Sequence, residues 1–98
     1  MQSNKVLTIE NISYVIKQKV IIENLELTGI TAGDIQDTEP IFGEGLGLES
    51  VDTIYIVKGI EKEFGIKVDI KKINSLRKHF YSVETLAQYV LSHLQQTK

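Results

Sequence analysis

Ser50 is the residue on which chemistry is easiest to place. It follows the glycine-rich acidic run Phe42-Gly43-Glu44-Gly45-Leu46-Gly47-Leu48-Glu49 and opens a segment with helical apolar spacing. A hydroxyl at a helix start lies at the positive end of the helix dipole, beside backbone N–H groups without intrahelical partners. That setting suits a phosphodiester. It equally suits a plain N-cap, whose oxygen takes one of those N–H groups. On spacing alone the cap is the better supported role.

Other chemistries fare worse. A P-loop needs Lys before the Ser/Thr, and Glu49 stands there, where it would repel phosphate. A dinucleotide fingerprint lacks its third glycine and a preceding strand. A calcium loop starting at Asp34 would want glycine at Glu39 and acids at Gln36 and Thr38. The 98 residues include no Cys, so disulfides, thiolate metal sites and a cysteine nucleophile are excluded. His79 and His93 have no motif near them and are expected to be structural, and no metal site is expected. Tyr14, Tyr55, Tyr81 and Tyr89 are scattered and read as core or rim residues.

The net charge of −2 hides an asymmetry. Six acids and no base lie between Asp34 and Thr53. Such a field steers cationic partners and argues against nucleic acid there. The bland alternative is a solvated acidic loop. No apolar run approaches the roughly 20 residues of a membrane span. The first residues lack a signal peptide's apolar block, so a cytoplasmic protein is expected.

The elements that must position Ser50 follow from periodicity. The length fits one domain, 1–98. A first helix is expected at about 4–25, with Ile9, Ile12, Ile16 and Val20 on one face. Its β-branched Val15-Ile16 and Val20-Ile21-Ile22 leave a strand as the alternative. A long loop, 26–49, is punctuated by glycines and Pro40, and long loops of this kind are often functional. A second helix at about 50–64 would start at Ser50 and stop at Gly65. Val51, Ile54, Val57, Ile60 and Phe64 read as its core stripe. A short third helix is expected at about 70–76. A fourth, at about 82–95, is capped by Ser82 and carries Val83, Leu86, Val90 and Leu94 inward. The result is a small all-α bundle of three long helices and one short one.

The run Pro40 to Asp52 strongly resembles the modification site of acyl carrier proteins. Its core is Gly47-Leu48-Glu49-Ser50-Val51-Asp52. In that family a Gly-Leu-(Asp or Glu)-Ser-(Leu, Val or Met)-Asp sequence holds the serine that receives 4′-phosphopantetheine. Ile35-Gln36-Asp37 resembles the family's loop before the proline. Glu61-Lys62-Glu63-Phe64-Gly65-Ile66 resembles the end of its second helix. Phe80 to Leu86 resembles the start of its fourth. Two departures stand out. Glu49 replaces the commoner Asp, and Tyr55, Lys58 and Lys62 occupy positions where relatives often carry acids or Met.

The resemblance implies a four-helix carrier rather than an enzyme. Ser50 would carry covalent 4′-phosphopantetheine, attached by a separate phosphopantetheinyl transferase, with magnesium entering only through that enzyme. The arm's thiol would bear acyl intermediates as thioesters for fatty acid, polyketide or specialised lipid synthesis. Acyl-loading, condensing and other synthase enzymes would be the partners of a monomeric chain. Leu48, Glu49, Val51, Asp52, Tyr55, Lys58, Glu61 and Lys62 would meet those partners. Phe42, Ile54, Ile60, Ile70 and Leu86, with Leu48, would line an acyl cavity or simply pack the core. An aminoacyl or peptidyl carrier shares these features. A helical interaction module with an unmodified Ser50 belongs to a different class.

Overall fold

The computed structural model describes residues 8–43, 45–49 and 51–96, the last without its side chain. The expected cap at Ser50 lies outside the described residues, as do positions 4–7 of the first helix.

Helix α1, Ile9–Val15, opens at Thr8, whose Oγ1 accepts the Asn11 N–H at 3.1 Å. It continues as a π-helical segment, Ile16–Glu23. There the chain switches to bonds five residues back, such as Asn24 N–H to Lys19 O and Leu27 N–H to Ile22 O. The strand alternative is not realised. Among the described residues there are only two isolated bridges, Pro40 with Ser82 and Phe42 with Leu48. Packing overrides β propensity, since Ile12, Ile16, Val20, Ile21 and Ile22 are all buried in the core of the bundle.

Helix α2 spans Asp52–Phe64 and stops at Gly65, which takes the left-handed conformation (φ 69°). Its buried residues are Ile56, Val57, Gly59 and Ile60. The expected stripe was therefore partly rotated. Val51 and Ile54 are 59% and 48% exposed. Successive steps of three lag the helical period, so Val51 lies about 180° around the helix from Ile60. Ile56 fills the inward position that the sequence stripe gave to Ile54.

Helix α3, Ile73–Leu76, is flanked by 3₁₀ turns at Ile70–Lys72 and Arg77–Phe80, so the third element runs longer than expected. Ile70, expected in the core, is 44% exposed at its first turn. Helix α4, Val83–Gln96, packs against α1 and α2 and buries Val83, Leu86, Ala87 and Val90. Ser82 caps it as expected, since Oγ accepts the Thr85 N–H at 3.3 Å while Thr85 Oγ1 accepts the Ser82 N–H at 3.0 Å.

The loop between α1 and α2 is tied down. Ile35 and Ile41 are buried in the core. Ile41 donates to Tyr81 O at 2.8 Å, and Asp37 O accepts the Glu84 N–H of α4's first turn at 2.9 Å. Lys17 of the π-helical segment pairs with Asp37. The arrangement is an all-helical bundle of four helices.

Candidate functional site at the start of α2

The chain reaches α2 through a tight bend. Leu46 N–H donates to Pro40 O at 3.0 Å, Leu48 N–H to Ile41 O at 3.3 Å, and Gly43 N–H to Leu48 O at 3.1 Å. Only glycine fits at position 45, because a Cβ there would sit 1.7 Å from Pro40 O. Gly47 adopts φ 80°, a left-handed conformation.

Glu49 and Asp52, on either side of Ser50 in sequence, are joined twice. Asp52 N–H donates to Glu49 O at 2.8 Å, and Asp52 Oδ2 accepts the Glu49 N–H at 3.0 Å. The same three-residue reach recurs upstream. Asp34 accepts the Thr31 N–H at 3.0 Å, and Glu39 accepts the Gln36 N–H at 3.0 Å. Asp34, Glu39 and Asp52 thus satisfy backbone donors three residues back, as the acid of a capping box does, while still contributing their charge.

Val51, Ile54 and Tyr55 are all about half exposed or more and lie on the solvent side of α2 with Lys58 and Lys62. Exposed apolar clusters of this kind mark interaction surfaces. Glu61 also has a structural contact, because its Oε2 accepts the Val68 N–H at 2.8 Å and ties the chain after Gly65 to α2. Of the expected cavity residues, Ile60 and Leu86 are fully buried and Phe42 is half-buried, whereas Ile54 and Ile70 face outward.

Two clefts flank the start of α2. One, of about 330 Å³, is lined by Asn24, Leu25, Glu26, Leu27, Leu48, Asp52 and Tyr55. Asn24 Nδ2 donates to Tyr55 O at 2.7 Å across it, an approach that Gly59 permits by having no Cβ. The other, of about 350 Å³, is lined by Pro40, Phe42, Thr53, Arg77, Lys78, Phe80 and Tyr81. Neither Asn24 nor the Arg77-Lys78 pair was signalled by sequence spacing, since both join the site through tertiary contacts.

The histidines lie elsewhere. His79 stacks on Tyr89 at 4.8 Å between ring centroids, and His93 meets the same ring at 4.6 Å. Burial lowers the His79 pKa, with smaller effects of Lys78 and His93, and burial raises that of Tyr89. No group of three or more His, Asp or Glu among the described residues is placed to hold a metal ion. No helix among them is long and apolar enough to cross a membrane.

Comparisons with known proteins identify a family. Residues 25–90 match the family described as "Phosphopantetheine attachment site". The mitochondrial acyl carrier protein of Neurospora crassa is 37% identical over 51 residues, which cover 52% of this chain and 35% of that protein. The chain thus spans about a third of that relative's length. No solved structure matches. With the match running from the end of the π-helical segment through most of α4, the chain belongs to the acyl carrier protein family, whose members bear a phosphopantetheine-attachment site.

Proposed function

We propose that Ser50 is the attachment point and that the chain is a non-catalytic acyl carrier. A separate transferase moves 4′-phosphopantetheine from coenzyme A onto the Ser50 hydroxyl, using its own magnesium. The arm's terminal thiol then holds acyl groups as thioesters and presents them to successive enzymes of fatty acid, polyketide or specialised lipid synthesis. The observation that supports this reading is the family match across 25–90, a range that includes Gly47 to Asp52, the stretch that resembles the attachment motif.

The surface supports a division of roles. Glu49 and Asp52 offer negative charge beside the serine, where a basic transferase surface is steered. Val51 and Tyr55 offer exposed apolar contacts, and Lys58 and Lys62 select among downstream partners by charge. Leu48 backs this surface from the loop. The full chain, incubated with coenzyme A, magnesium and a broad-specificity transferase, is expected to gain the mass of one phosphopantetheine. Ser50→Ala is expected to gain none. No gain with several transferases overturns the proposal.

A further inference from the structure

The cleft beside Thr53 has a property that the attachment motif does not explain. Its walls are aromatic and apolar (Phe42, Phe80, Tyr81), yet Arg77 and Lys78 also line it. Among the described residues neither cation takes part in an ion pair. Its volume of about 350 Å³ is in the range of small-ligand sites.

The proposed arm brings a permanent negative charge to Ser50 Oγ. That charge would be bracketed by Glu49 and Asp52, in a stretch from Asp34 to Thr53 that has no base. Its own segment therefore repels it. The helix start offers only partial positive charge, and full cationic charges are available on another element. Three residues of chain span at most about 11 Å, so a group bonded to Ser50 starts within reach of the cleft at Thr53.

We propose that Arg77 and Lys78 hold the phosphodiester of the arm, while Phe42, Phe80 and Tyr81 take its apolar part. The carrier then has a folded-back resting state, with the arm in the cleft between the loop and the end of the third element. This rests on the attachment reading for Ser50. The Arg77 guanidinium matches phosphate oxygens in geometry as well as charge. Exposed charge pairs are individually weak, so the docked arm remains exchangeable, as a delivery arm must.

The test compares apo and holo protein, the latter carrying the thiol-ended arm without cargo, by NMR. Attachment is expected to shift the Arg77 side-chain N–H signal and the Phe80 and Tyr81 ring signals, and molar salt is expected to shrink those shifts. In the double variant Arg77→Gln/Lys78→Gln the ring shifts are expected to be lost. They are expected to persist in Lys67→Gln/Lys71→Gln, which removes equal charge elsewhere. Mass gain without any shift at these residues overturns the resting site and leaves the attachment reading standing. Absence of mass gain overturns the attachment reading itself. Shifts that appear only when the arm carries an acyl group with its own carboxylate also overturn the proposal, because the anion held would then be cargo.

Discussion

The cleft under Asn24 and Tyr55 and the cleft beside Thr53 are nearly equal in volume, about 330 and 350 Å³, and opposite in charge. Glu26 and Asp52 line the first, and Arg77 and Lys78 the second. Both use the start of α2 as one wall, and both use the 40–48 bend, through Leu48 on one side and Pro40 and Phe42 on the other. The near-neutral chain is therefore not electrostatically bland where it matters. One side presents acids, which suits the proposed docking of a basic protein surface, and the other presents bases, which suits the proposed docking of the arm's anion.

The comparison fails first if the shared wall fails. A Cβ at Gly45 would overlap Pro40 O, and because that atom is backbone, the bend has to move and the Leu46 N–H bond to it is lost. Gly45→Ala is expected to destabilise by about 1–3 kcal/mol, each kcal/mol lowering Tm by about 4–8 °C. Both clefts should lose shape together, seen as slower loading. Gly33→Ala, whose nearest neighbour is 3.8 Å away, is expected to stay within about 0.5 kcal/mol. A wild-type Tm for the Gly45 variant would show that the bend does not fix the two walls.

The acidic side can be broken separately. Asp52→Lys is expected to slow transferase loading by about tenfold or more, since electrostatic steering spans 10–10³ in rate. Asp52 also accepts the Glu49 N–H, so charge and cap change together. Asp52→Asn keeps an acceptor and removes the charge. If steering dominates, it loads at an intermediate rate with a weaker salt dependence. An unchanged loading rate in both variants would end the docking role of this side.

What the residues alone disclosed follows a physical divide. The Gly65 stop and the Ser82 cap are local, each decided within a few residues, and they were legible. The three-residue reach from Thr31 to Asp34, Gln36 to Glu39 and Glu49 to Asp52 was not read from the sequence, where these acids counted only as charge, because each has to be matched with the donor behind it. The stripe of α2 was misplaced because steps of three mimic a face while drifting around the helix. The pairing of Asn24 with Tyr55 and the placing of Arg77 and Thr53 along one cleft depend on how helices are brought together, and no local pattern records that.

The smallest expected effect sharpens the basic side. His79 adjoins Lys78, stacks on Tyr89 and feels His93 from α4. Burial first, then the charges of Lys78 and His93, hold its pKa below the ordinary 6.5. Just below that value the folded chain binds fewer protons at this site than the unfolded chain does. Stability is then fully present above pH 6.5 and declines as the pH falls through the window down to the folded value. The sign is opposite to that of a histidine gaining a carboxylate partner, and it follows because the protonated ring is penalised first by burial and then by the charges of Lys78 and His93. His79→Gln is expected to flatten the dependence of Tm on pH across this window relative to wild type. If the two proteins lose stability in parallel, or if wild type gains it on acidification, His79 does not set the basic side's response to pH.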